Sequence, residues 1–373
     1  MPDTTTSISI TFELALEPPR AFEVLVEELI AGLERLAIRF DAGPSGSVVE
    51  RGIDVGRVIA WEPASRIALE WRPADWAPGE VTHLELRFAP IVSGTRVTCE
   101  HRDWGRLMGS TTEVAGWVAG EVLAPFVRAV APAALGDWLT DRRARRPSGR
   151  ESRATYADPL YHYPNFRVML AELALTPEDF LLEVGCGGGA LLKAALQSGC
   201  RAAAVDHSPD MVRLARAANR EAIEAGRLEV LHATAERLPF ADGSFTCAAM
   251  TGVLGFLADP ARAFAEIRRV LQPGGRFVSL GSDAALRGTP AAPEPMASRL
   301  RFYEDAELEA LARDAGFAQA RVVRRDLAPF AREVGVPEEH LPLFEGDTTF
   351  LLARTHSRAV GSVGSGGIPG GAA

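Results

Sequence analysis

Apolar and polar positions alternate from the start of the chain, with Ile8, Ile10, Phe12, Leu14 and Leu16 on one face at the period of two that marks a half-buried strand. Glu17, Pro18 and Pro19 end that run. Phe22, Leu25, Val26, Leu29 and Leu33 then recur at helical intervals, which predicts a helix over residues 21–36 with Pro19 near its start. Strand-like runs return at 55–61, 67–71, 81–88 and 95–100, separated by Pro, Gly or Ser-Gly turns, and a long helix over 112–141 closes this half.

From Phe180 the pattern changes to short apolar runs alternating with amphipathic stretches. Strands are expected at 180–184, 202–206, 228–231, 244–251 and 276–280, with helices at 190–197, 209–225 and 260–271. That alternation predicts an α/β doubly wound, Rossmann-like sheet, whose ligands bind outside the carboxyl ends of the strands. The first half, with its order strand, helix, antiparallel strands and long helix, reads instead as an α+β helix-grip arrangement.

A chain of 373 residues exceeds one ordinary domain, and its 47% hydrophobic and 24% charged residues suit two packed cores. The division expected is a helix-grip domain over 1–140, an Arg-rich linker over 141–155, an α/β domain over 156–357 and a Gly/Ser-rich flexible tail over 358–373. The net charge of −9 offers no basic footprint for a phosphate backbone, so no nucleic-acid partner is expected. The arginines of 141–150 do not change this, because Pro147, Ser148 and Gly149 interrupt them and no aromatic residue is interleaved. The most apolar stretch, 114–139, carries Glu121, Arg128, Asp137, Pro125 and Pro132, and reads as a packed helix rather than a membrane span. With no secretory signal at the start, a cytoplasmic location is expected.

Cys99, Cys186, Cys200 and Cys247 form no CxxC pair and have no His at metal-ligand spacing, so buried thiols and no metal site are expected. Lys193 is the only lysine and no GxxxxGK[ST] surrounds it, which excludes a P-loop. Chemistry concentrates at the first predicted strand-to-helix turn of the second half. Gly185, Gly187 and Gly189 make a glycine-rich turn, and Asp206 lies nineteen residues beyond Gly187, a spacing that a dinucleotide fingerprint also shows. Glu183 separates the alternatives. An anion two residues before the first glycine would repel a diphosphate but attract the ammonium and sulfonium of S-adenosyl-L-methionine. Asp206, ending the next strand, is placed to accept from ribose hydroxyls.

Two resemblances follow from particular segments. ITFELALEPPRAFEVL, VIAWEPASRIALEW, VTHLELRFAPIVSGTRVTCEH and GWVAGEVLAPFVRAV resemble the activator-of-Hsp90-ATPase-like branch of the Bet v 1/START superfamily, over nearly all of residues 7–135. That resemblance implies a possible apolar ligand held between sheet and helix. LLEVGCGGG, AVDHSPDMVRLAR, ATAERLPFADGSF and EIRRVLQPGGRFV, within 156–280, resemble the class I S-adenosylmethionine-dependent methyltransferases of the ubiquinone/menaquinone-biosynthesis-like group. Segments further on are similar as well, with 302–308 and 315–317 matching the helix and turn before the sixth strand and 348–354 an antiparallel seventh.

The second resemblance implies an enzyme that methylates a small, apolar or aromatic molecule, with S-adenosyl-L-methionine as cofactor. Glu183, Gly185, Gly187 and Gly189 would hold its methionine portion and Asp206 its ribose. His207 and Met211 would flank the adenine, Thr234, Ala235 and Glu236 would line its edge, and Thr251 would sit under the transferred methyl. Thr234 stands where the family usually has Asp, and Gly255 where a His is common. These departures leave open a second reading, a sensor or scaffold that binds the cofactor without turnover. Tyr156 and His162, in the segment before the first strand, are the candidate catalytic residues.

Overall fold

The opening alternation becomes strand β1 (Ser7–Leu14), and the helical spacing after it becomes α1 (Pro18–Glu34). Six more strands follow: β2 (Ile38–Phe40), β3 (Ser47–Glu50), β4 (Ile53–Glu62), β5 (Arg66–Trp71), β6 (Thr82–Ile91) and β7 (Gly94–Arg102). They form one antiparallel sheet in the order β1-β7-β6-β5-β4-β3-β2. The coordinates are a computed structural model that describes residues 7–103, 125–130, 133, 136–137, 140–289, 292 and 296–357. Two units make up the chain. One comprises the residues through Thr155 together with Leu286–Leu300; the other comprises Tyr156–Ala285 and the residues from Arg301 on.

Period-two alternation decides which face of the first sheet is dry. Ile8, Ile10, Ile67, Leu69, Leu84, Leu86 and Val97 point into a core shared with Phe22, Leu25, Leu29 and Leu33 of α1 and with Phe126 and Val127 of α2 (Pro125–Val130). The opposite face is a ladder of cross-strand charge pairs, Arg57 with Glu70, Arg66 with Glu85 and Arg96 with Glu13, to which Arg87 adds a pair with Glu85 along β6 itself. Two features depart from expectation. β2 and β3, of three and four residues, were not anticipated, because a run that short shows no period. Much of the long helix expected over 112–141 and all of the tail expected over 358–373 lie outside the described residues.

The Arg-rich stretch expected as a linker over 141–155 is largely helical. Asp141–Arg145 forms a π-helical turn in which Arg145 pairs with Asp141, and helix α3 (Gly149–Ala157) begins four residues later. Arg145 reaches Asp137 as well as Asp141. The excursion Leu286–Leu300, expected to belong to the second half, is part of the first unit, where Arg299 donates to Asp137 Oδ1 and to the Ala133 carbonyl, each at 2.8 Å.

The second unit opens with α4 (Tyr163–Leu173) and continues as β8 (Phe180–Val184), α5 (Ala190–Ala195), β9 (Arg201–Asp206), α6 (Pro209–Ala218), α7 (Arg220–Glu224) and β10 (Leu228–His232). Then come β11 (Phe245–Met250), α8 (Pro260–Val270), β12 (Leu271–Leu280), α9 (Asp305–Asp314), β13 (Gln319–Asp326), α10 (Ala328–Glu333) and β14 (Asp347–Arg354). The sheet order is β10-β9-β8-β11-β12-β14-β13, parallel through β12 with β14 antiparallel to both neighbours. The doubly wound fold expected for this half is thereby confirmed. The helix expected over 209–225 is broken at Asn219, whose backbone leaves the helical region at φ −120° and ψ 27°.

This order places the switch point between β8 and β11. From β8 the chain winds outward through β9 to β10 and then returns to lay β11 on the other side, which opens a crevice over the carboxyl ends of β8 and β11. Register aligns those ends, with Val184 opposite both Val205 and Met250, and Asp206 opposite His232. Among the described residues no helix is long and apolar enough to cross a membrane, and no group of His, Cys, Asp and Glu could hold a metal ion.

Candidate active site at the carboxyl edge of the parallel sheet

Glu183 is the penultimate residue of β8 and is 2% exposed. Alternation puts it on the same face as Leu181, and its register partners on the flanking strands are Ala204 and Ala249. Their short side chains leave room above the sheet for a carboxylate. Oε2 of Glu183 is buried without a hydrogen-bond partner, so the residue does not cap a helix. Burial, reinforced by the negative charge of Asp206, holds its carboxyl well above the usual range. A buried, unpaired carboxylate oxygen costs free energy and is kept where something outside the chain pairs with it.

Gly185–Gly189 forms the turn that follows β8. At Gly185, φ is +75° and a Cβ would fall 2.1 Å from Val253 Cγ2, so a side chain is excluded both by backbone conformation and by space. At Gly188 a Cβ would lie 1.9 Å from the Tyr156 carbonyl oxygen, so α3 ends directly on the glycine turn. Tyr156 also lies over Gly187. Gly189 is the N-cap of α5, and its carbonyl accepts from Asn219 Nδ2 at 3.0 Å.

Asp206 does more than the sequence reading gave it. Oδ2 accepts from the Gly187 N–H at 2.9 Å and Oδ1 from the Ser208 N–H at 2.8 Å. One carboxylate thus ties the glycine turn to the start of α6, and each oxygen retains a lone pair for a further donor. Burial raises its pKa, while the two backbone donors work the other way. Ser208 caps α6 by accepting from the Met211 N–H, and Met211 is fully buried beneath that turn. His207 is half-buried and its carbonyl accepts from His232. Beyond β10, Thr234 is exposed, Ala235 buried and Glu236 half-buried, and the Glu236 carbonyl accepts from Arg262.

Thr251 follows β11, and its Oγ1 lies 2.9 Å from Met169 Sδ of α4. His162, the N-cap of α4, is stacked on Phe166 and brings its ring alongside Gly252. The segment from Tyr156 to Met169 therefore runs from the glycine turn to the turn after β11, and spans the crevice. Three contributors had no signal in the sequence: Asn219, Val253 and Met169. Each acts through a contact made only by the folded chain.

Residues 182–279 match the family described as "Methyltransferase domain". An uncharacterized methyltransferase of Bacillus subtilis, YodH, is 30% identical over 163 residues, which is 42% of this chain and 67% of that protein. The chain belongs to the methyltransferase family. An O-methyltransferase of Aspergillus sclerotiorum, resE, is 32% identical over 157 residues, 39% of this chain and 58% of that protein. The ubiquinone/menaquinone biosynthesis C-methyltransferase of Geobacter sp. is 30% identical over 117 residues, 31% of this chain and 50% of that protein. The chain spans about a third to two thirds of the length of the curated relatives it matches.

The cofactor of this methyltransferase domain is S-adenosyl-L-methionine. The residues fit it: the unpaired Glu183 oxygen is the complement of a cationic donor, and the turn beside it carries no side chain of its own at Gly185, Gly187, Gly188 or Gly189. A diphosphate-bearing dinucleotide would meet two buried carboxylates at the same place.

Proposed function

We propose that the second unit transfers the methyl group of S-adenosyl-L-methionine in line to a small, apolar or aromatic molecule. The observation that carries this reading is the buried Glu183 carboxylate, without a partner, beside a glycine turn at the switch point of the sheet. In this reading Glu183, Gly185, Gly187 and Gly189 hold the methionine portion and Asp206 the ribose. His207 and Met211 flank the adenine, Thr234, Ala235 and Glu236 line its edge, and Thr251 sits under the methyl group.

The sulfonium supplies an already activated methyl carbon. What remains for the chain is to orient the acceptor, keep water out and, where the acceptor carries a proton, receive it. The segment from Tyr156 to Met169 is positioned for the last two tasks. In the first unit, the strand order and the packing of α1 and α2 on one face support a START-like helix-grip reading, with an apolar ligand or the acceptor itself as its cargo.

Incubating the full chain with methyl-labelled cofactor and metabolite extracts, then identifying labelled products by mass spectrometry, tests the proposal. A labelled small molecule is expected in step with S-adenosylhomocysteine. Cofactor binding with no labelled product from any extract would favour the sensor reading.

A further inference from the structure

Resting on the reading above, we propose that Arg299 and Arg301 are positioning residues for methyl transfer. The strap Leu286–Leu300 that they pin sets the turn after β11, and through it the first unit governs how the acceptor, rather than the cofactor, is received. The path of the chain gives the first observation. It passes between the units at three places, 155–156, 285–286 and 300–301. Each falls at the carboxyl edge of the parallel sheet. Tyr156 lies over Gly187 of the glycine turn, Ala285 comes shortly after the end of β12, and Arg301 returns onto the turn after β11.

Arg301 belongs to the second unit and is fixed within it. Its N–H donates to the Gly255 carbonyl at 2.8 Å and its Nη2 to the Ala258 carbonyl at 3.1 Å. Its own carbonyl accepts from Ser282 Oγ at 2.7 Å, and the Tyr303 N–H donates to the Ser282 carbonyl at 2.8 Å. The outgoing leg is tied to the sheet, because Asp283 accepts from Thr349 Oγ1 of β14 and pairs with Arg324 of β13. Arg299 belongs to the first unit, where its guanidinium spans Ala133 to Asp137 and crosses Gly136 so closely that a Cβ there would stand 2.3 Å from Nη2. Leu300 alone separates the two anchors. Two steps of chain reach at most about 7 Å, so a displacement of Arg299 is passed on to Arg301 rather than absorbed.

The turn that Arg301 holds borders the acceptor's side of the crevice. Glu183, the glycine turn and Asp206 gather on β8 and β9, whereas the loops after β11 and β12 flank the remaining side. Val253, at the start of the turn, is set against Gly185, and Leu254 is buried, so the core keeps that end in place. Gly255 and Ala258 are the part bonded to Arg301. Loosening the strap therefore alters the wall that the acceptor meets and leaves the glycine turn where it is. The first unit acts on the reaction through position, not through a group at the reacting atoms.

Hydrogen exchange of the full chain with S-adenosylhomocysteine, read by mass spectrometry, tests the strap without an acceptor. Arg299→Ala should speed exchange about tenfold in peptides covering 253–258 and 300–304, while peptides holding the Gly187 and Ser208 amides exchange as in the wild type. Arg299→Lys keeps a cation for Asp137 but lacks the planar fork that also reaches Ala133, and should fall between the two. Methyl transfer from labelled cofactor is then followed over a dilution series of the extract fraction that yields product. For Arg299→Ala the amount giving half the maximal rate should rise about fivefold or more, with the maximal rate and the affinity for S-adenosylhomocysteine within about twofold of the wild type. Faster exchange confined to 286–300, an unchanged half-saturating amount, or weakened cofactor binding in Arg299→Ala would overturn the assignment. Absence of cofactor binding by the unmodified chain would instead overturn the reading on which it rests, and the exchange comparison would still decide the strap.

Discussion

Glu183 sets the electrostatics of the cofactor site, and its effects on stability and on binding run in opposite directions. Because its folded pKa is raised, it contributes stability that is fully present below the unfolded value near ~4.3 and is lost as pH rises through the folded value. A cationic cofactor prefers the ionised carboxylate. S-adenosylmethionine binding should therefore tighten as pH rises through that same window and release protons within it. Calorimetry in two buffers of different ionisation enthalpy would detect the release, and an identical apparent enthalpy in both would refute it. Glu183→Gln should abolish proton release, weaken the cofactor by about tenfold or more, and raise the melting temperature of the free protein at neutral pH. A glutamine variant that melts lower and binds normally would make Glu183 a structural residue. Gly185→Ala tests the turn itself. A left-handed backbone costs a non-glycine residue about 1–2 kcal/mol, and the Val253 clash adds to it, so cofactor binding should be lost with a drop of several degrees in melting temperature.

The elements that place the site were readable where their period was long enough. β8, β9 and their glycine turn fell where the sequence put them, because a buried strand followed by glycine and an amphipathic helix leaves little choice. β2 and β3 were too short to show a period, and the break between α6 and α7 carries no proline or glycine to announce it. The break has a use. It turns Asn219 inward so that Nδ2 donates to both Gly189 and Ala215 carbonyls at 3.0 Å, which pins the glycine turn to α6. Asp206 was legible as a site residue, but its grip on Gly187 and Ser208 was not, since only the folded turn brings those N–H groups to it. Asn219→Leu removes the side-chain donor shared by the Gly189 and Ala215 carbonyls, a loss of about 0.5–1.5 kcal/mol. The cofactor Kd should rise about fivefold or more, with Asn219→Ser recovering part of it. Equal affinity in the leucine variant would show that α6 does not hold the turn.

At the scale of the whole molecule, the two units are interleaved along the chain rather than simply consecutive. The excursion Leu286–Leu300 leaves the second unit after β12 and belongs to the first, where Arg299 is held by Asp137 and Ala133. Composition could not reveal this, because the excursion is short and carries no repeat or motif. Arg299→Ala should make the excursion more sensitive to limited proteolysis while S-adenosylhomocysteine affinity stays unchanged. Unaltered cleavage would show that the arginine does not secure it.

The central claim, that the crevice between Glu183 and Asp206 receives a cationic nucleoside donor, is tested most directly by isothermal titration of the full chain with S-adenosylmethionine, S-adenosylhomocysteine and NAD at neutral pH. One site per chain is expected for the first two, none for NAD, and a weakened S-adenosylmethionine site in Glu183→Gln. Binding of NAD with comparable affinity, or no heat from S-adenosylmethionine, would contradict it.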